Sequence, residues 1–169
     1  MGRIVYNFIF TYSFIMNIEE RNTNTFDIVD LAANLRKADR LEVETITGTT
    51  QIYNKLKDSI LKSSYAKSFL VDGKVAGVYG VSNSPYNKHI GYPYLLCTNE
   101  LYKIKKTFIK NCIDRVDEMQ SKFPVLFNYI DSRNSLHINW IKYCGFKIIN
   151  DKHFNNVKFY GFMKKREDF

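Results

Sequence analysis

Apolar and polar positions recur along the chain in short blocks, and the period of each block predicts an element. Asn17 to Arg21 reads as a strand, and Thr23, Asn24 and Thr25 each offer a cap for the helix that follows. In that helix Ile28, Leu31, Ala32 and Leu35 recur at spacings of three and four, which carries it to about Lys37. From Leu41 to Thr47, Leu41, Val43 and Thr45 alternate with Glu42, Glu44 and Ile46, a pattern compatible with a strand or a helix end, and Gly48 closes the block. Thr49 and Thr50 can cap a second helix whose stripe is Ile52, Leu56, Ile60 and Leu61, ending near Ser64. Tyr65 to Val71 and Lys74 to Val81 flank Asp72-Gly73, a pair suited to the positive φ values of a type I′ hairpin turn.

Beyond a loop from Ser82 to Pro93, Tyr94 to Thr98 is a short apolar strand. Leu101, Ile104, Phe108, Cys112, Val116, Met119 and Phe123 then mark one face of a long amphipathic helix, stopped by Pro124. Val125 to Ile130 is a compact buried-type strand, Asp131 to Asn134 a capping turn, and Leu136 to Cys144 a short helix closed by Gly145. Phe146 to Asn150 and Val157 to Met163 are the last strands, around a polar turn at Asp151 to Asn156. The order is strand, two helices, three strands, helix, strand, helix, two strands. It predicts one α/β (α+β) domain, a central mixed sheet with flanking helices and crossover connections in its second half.

Residues 1–15 are read as an N-terminal apolar extension or an extra strand, and 16–169 as the domain, with Met1 and Met16 both available as starts. The apolar run Ile4 to Met16 is interrupted by Asn7, Thr11 and Ser13, and no small-residue cleavage site follows it. It also falls short of the roughly 20 residues that span a bilayer. Neither a membrane span nor secretion is expected.

Composition narrows the picture further. The 45% hydrophobic fraction, with 12 Tyr and 13 Phe, excludes global disorder. A net charge of +8 favours anionic partners, but no nucleic-acid motif accompanies the basic residues, so nucleic acid is not expected. Cys97, Cys112 and Cys144 are odd in number and lack CxxC spacing, which argues against a disulfide framework or a thiolate zinc site and fits a reducing compartment. His89, His137 and His153 are too dispersed for a metal signature, so no metal is expected.

The element order, with Asn134 opening a short helix that ends in Gly145-Phe146 (NSLHINWIKYCGF), resembles the GNAT acetyltransferase superfamily over most of the chain. Within it, Tyr94 to Phe146 (YLLCTNELYKIKKTFIK, then FNYIDSRNSLHINWIKYCGF) resembles a family of internal virion proteins of short-tailed phages. The superfamily resemblance implies acetyl-CoA held where two central strands splay apart, its pyrophosphate on backbone N–H groups at the start of the long helix. There the superfamily uses an Arg/Gln-x-x-Gly-x-Gly/Ala loop, since glycine lets backbone approach phosphate closely. The equivalent stretch here, Thr98-Asn99-Glu100-Leu101-Tyr102-Lys103, has no glycine, and Glu100 adds a like charge. If the site is kept, Cys97, Thr98, Asn99, Lys103, Lys106 and Asn134 are the residues placed to hold the cofactor.

Acyl transfer also needs a base for the acceptor amine and an acid for the leaving thiolate. The superfamily's acid is a Tyr four residues before the Gly of Gly-Phe; that position is Ile141, and Tyr143 lies two residues later. Candidate bases are Glu42, Glu44 and His137; the plainer reading makes the two glutamates surface charges, unless a pocket desolvates them, and His137 a capping or packed histidine. The catalytic candidates are His137, Glu44 and Tyr143. Lys103, Lys105, Lys106 and Lys110 crowd the start of the long helix, where its dipole disfavours cations, and are read either as a solvated face or as a response to an anion. The resemblance and the missing glycines together imply a phage protein with a degenerate acetyl-CoA site, internal to the virion or acting in its assembly. Its partners would be phage structural proteins, in host cytoplasm or particle. The alternative is an atypical acetyl-CoA-dependent N-acetyltransferase.

Overall fold

Asn24 is the residue that caps the first helix: its side chain accepts the Asp27 N–H, while the Asp27 carboxylate accepts the Asn24 N–H. The computed structural model describes residues 16–169, so the extension or extra strand expected over 1–15 lies outside the described residues. In chain order the elements are β1 (Ile18–Asn22), α1 (Thr25–Asn34), α2 (Lys37–Thr47), α3 (Tyr53–Leu61), β2 (Tyr65–Val71), β3 (Lys74–Asn83) and β4 (Ile90–Cys97). Then follow α4 (Leu101–Lys122), β5 (Val125–Asp131), α5 (Ser135–Tyr143), β6 (Lys147–Phe154) and β7 (Val157–Lys165). The strands form one sheet in the order β1-β2-β3-β4-β5-β7-β6, antiparallel except for β4 and β5.

Each sheet face carries its own core. On one, Ile28 and Leu31 of α1 and Leu56 and Ile60 of α3 cover Leu70, Val75 and Val78. On the other, Ile104, Phe108, Cys112 and Val116 of α4 and Ile141 of α5 cover Phe69, Tyr79, Leu126 and Ile130. Cys112 and Cys144 meet there with their sulfurs 3.3 Å apart, both as free thiols.

Several elements depart from the pattern-based expectation, some through tertiary pairing and some through local turns. The ambiguous block at 41–47 is the second half of α2, and the helix expected to reach Lys37 breaks earlier. Leu35 and Arg36 are extended (ψ 136° and 146°) because Leu35 bridges Thr98 and the Arg36 N–H bonds the Cys97 carbonyl. β4 begins at Ile90 rather than Tyr94, with Pro93 in its interior. β6 and β7 run closer together than expected, through a two-residue turn in which Asn155 and Asn156 both have positive φ. α3 starts after Ile52, and Thr49 instead accepts the Gln51 N–H with its hydroxyl.

Candidate functional site

β4 and β5 pair only at Ile90–Val125 and Gly91–Leu126, and beyond that they diverge. Alternate residues of β4 turn their main-chain groups toward β3, as Thr98 does in bonding Ala76, so Gly91, Pro93, Leu95 and Cys97 face the gap. Pro93 has no N–H to offer β5, and its carbonyl accepts the Asn128 side-chain amide at 2.9 Å. Leu95 has no strand partner on that side. Its residue lines two cavities, one through the gap of about 320 Å³ and one between α4 and α5 of about 290 Å³. His137 and Trp140 line both as well, so these three side chains stand between the two spaces.

At the first cavity stands Glu42, one turn into α2. Its carboxylate accepts the Asn134 side-chain amide at 3.2 Å. Burial pushes the Glu42 carboxyl up to about 8, and the Asp39 carboxylate adds to the shift, against the Asn134 bond that lowers it. Glu44 points elsewhere: it lies 3.7 Å from Arg40 and borders a shallow outer depression. Of the two glutamates, the helix turn brings Glu42 to the gap. Tyr143 is half-exposed at the lip of the second cavity.

The far end of β4 is filled. Arg36, only 4% exposed, donates to Asp39 at 2.7 and 3.0 Å and to Nε2 of His137 at 3.0 Å. Nε2 of His137 is therefore the acceptor, and Nδ1–H faces Asp39 Oδ1 at 3.3 Å. Burial, opposed by Asp39 and reinforced by Arg36, lowers the His137 pKa to about 4, so the ring is neutral. Asn134 shows no side-chain cap bond on α5; its amide nitrogen donates to Asp39 and Glu42. Asp131 holds that turn instead, accepting the Arg133 N–H. Asp39, Cys97 and His137 place three ligand atoms within 4.8 Å of one another, yet Arg36 already holds Asp39 and His137, so a cation is in place.

This network also closes the edge of β4. The Cys97 carbonyl accepts the Arg36 N–H at 2.9 Å, and the Cys97 N–H reaches Asp39 at 3.3 Å. The Cys97 thiol is buried and its pKa is raised by burial, which makes it a poor nucleophile. At the start of α4 the N–H groups of Leu101, Tyr102 and Lys103 turn back to the carbonyls of Thr98, Asn99 and Glu100 at 3.1–3.3 Å. Thr98 Oγ accepts the Glu100 N–H, and Lys103 pairs with Glu100 at 2.5 Å. Lys106 is exposed, and Asn99 borders a cleft beside Arg36 and Tyr102. Of the predicted cofactor residues, Cys97, Asn99 and Asn134 lie beside Arg36, Thr98 is bonded to Val75 and Glu100 instead, and Lys103 and Lys106 are exposed.

The fold is shared with solved structures. The acetyltransferase of the GNAT family from Streptococcus pneumoniae superposes with a TM-score of 0.59 at 16% identity, over 89% of this chain and 99% of that one. The fold is that of the GNAT acetyltransferases. A ribosomal-protein-alanine N-acetyltransferase from Brucella melitensis matches at 0.64 and 16% identity, over 87% and 99%. The yncA protein from Salmonella typhimurium, solved with its cofactor acetyl-CoA, matches at 0.60 and 12%, over 90% and 95%. No protein-family model and no curated protein matches the sequence.

Arg36 and Asp39 are the site residues that sequence reasoning missed. Their only signal is an Arg and an Asp three apart at the head of a helix, which is common on solvated surfaces.

Proposed function

We propose that this protein is an N-acyltransferase that holds its thioester donor by the acyl and thiol arm rather than by the diphosphate. Glu42 carries the reading: a carboxyl at the splayed strands whose pKa sits near neutrality suits a general base. The acceptor nitrogen attacks the thioester carbonyl while Glu42 takes the amine proton. The C–N bond forms, the C–S bond breaks, and the thiolate is reprotonated by solvent at the mouth that Tyr143 borders.

Thiol release from acetyl-CoA and from S-acetyl-N-acetylcysteamine, a donor without nucleotide, tests this against a panel of primary amines. The two donors are expected to have kcat/KM values within about tenfold, because diphosphate contacts contribute little transition-state binding here. Thiol release from neither donor above that of Glu42→Gln overturns the activity, and a thousandfold preference for acetyl-CoA overturns the mode of holding it.

A second reading is a GNAT-fold phage protein, internal to the virion or acting in its assembly, with a closed donor site. The capping of Cys97 by Arg36 and Asp39 favours closure, while the phage association rests on the resemblance of Tyr94 to Phe146. Detection of the chain in purified particles by mass spectrometry, with no thermal shift from millimolar acetyl-CoA, would establish it.

A further inference from the structure

The two helices that wall the second cavity carry a one-sided charge. Residues 101–110 of α4 include Lys103, Lys105, Lys106 and Lys110 and no acid, and α5 contributes Lys142 and no acid. Lys103 is tied to Glu100; Lys105, Lys106, Lys110 and Lys142 are exposed, and no salt bridge holds them among the described residues. Lys105 itself lines the cavity, one turn before Ile109, and Asn139, one turn before Lys142, lines it from the facing helix. Lys105 therefore sets a positive charge at an apolar cavity walled by these two helices, and Leu95, His137 and Trp140 separate that cavity from the one beside Glu42. Lys105 and Lys106, early in α4, oppose its dipole and cost stability unless something negative meets them, whereas Lys142 in the last turn of α5 suits the dipole there.

Resting on the acyltransferase reading, we propose that the donor is an acyl group on the phosphopantetheine arm of an acidic carrier protein, which docks on Lys105, Lys106, Lys110 and Lys142. The cavity beside Lys105 takes the arm, and among the described residues the start of α4 has no glycine loop to wrap the nucleotide that a free coenzyme would bring. The affinity missing at the diphosphate is supplied by charge complementarity across these lysines, which steers encounter and sets register. In the transfer the acyl C–S bond on the arm breaks, the C–N bond to the acceptor forms, the amine proton goes to Glu42, and the carrier leaves with a free thiol.

The test uses the full chain, an acetylated acidic acyl carrier protein, acetyl-CoA and S-acetyl-N-acetylcysteamine. Transfer from the carrier is expected to exceed that from acetyl-CoA by at least about tenfold in kcat/KM at low salt. It should fall steeply as ionic strength shortens the Debye length. Lys110→Glu combined with Lys142→Glu should weaken carrier binding, read by surface plasmon resonance, by about tenfold or more and flatten its salt dependence, with transfer from S-acetyl-N-acetylcysteamine unchanged. Turnover of the small donor without preference for the carrier overturns the carrier alone, and absence of turnover with any donor overturns the activity beneath it. A DNA duplex that binds more tightly than the carrier, and loses affinity in the same variant, would assign these lysines to nucleic acid and also overturn the proposal.

Discussion

The two ends of the gap between β4 and β5 are built on opposite principles. Toward Glu42 the space is open and mostly apolar, with one carboxyl whose proton is poised near neutrality. Toward Cys97 the space is occupied by Arg36, Asp39, Asn134 and His137, and the strand edge is bonded to the chain itself. The difference teaches that one fold can leave one half of a cleft open while filling the other half with its own buried ion pairs. Architecture is shared, and the site decides what it serves.

The largest effect that could break this contrast is on rate. Glu42→Gln should lower transfer by about 10² to 10⁴, the usual contribution of a positioned base. Its stability effect runs the other way. The folded carboxyl keeps its proton up to about 8 while the unfolded one loses it near 4.5, so the native state weakens as pH rises between those values. Glu42→Gln should therefore gain stability over the parent across that window, read as the urea midpoint against pH; a constant difference would show that the fold does not hold the Glu42 proton. His137 works with the opposite sign. Its folded pKa of about 4 lies below the ordinary 6.5, so its contribution is present above 6.5 and is lost as pH falls toward 4.

Next in size is Arg36→Ala. It strips the guanidinium from a buried carboxylate and should cost about 3–5 kcal/mol in urea unfolding. Acetyl-CoA should bind no more tightly, since Asp39 still reaches the Cys97 N–H. A variant that stays stable and gains coenzyme would show that the filled end is a removable plug. The smallest effect belongs to Glu100→Gln, which removes a negative charge from the start of α4. A gain of about 0.3–1 kcal/mol in acetyl-CoA binding, two- to fivefold in Kd by calorimetry, is the scale of a charge at a helix end. A larger gain would mean that charge, not lack of space, excludes the diphosphate.

Much of this frame was legible in the sequence because its signals are local. The seven apolar positions from Leu101 to Phe123 fix α4, and Asp72-Gly73 fixes the β2–β3 hairpin. The break at Leu35–Arg36 was not legible, because an apolar stripe continues through it and only the bond to Cys97, 61 positions on, makes it extended. At the site, the missing glycines can be read directly. The choice between Glu42 and Glu44 cannot, since two positions on a helix differ by about 200° of rotation and the periodicity of 41–47 left even the element open. Asn134 looked like a cap because Asn commonly is one; its inward direction depends on Asp39 and Glu42, two helices away in sequence.

Pro93 gives the gap a different standing from a crevice prised apart by its occupant. The imide nitrogen sits at the next place where β4 could have continued its ladder with β5, and no change of solvent or partner can give it a hydrogen. The opening is thus written into the covalent chain at synthesis. Whatever enters finds the door already ajar and loses no free energy to unzipping the sheet.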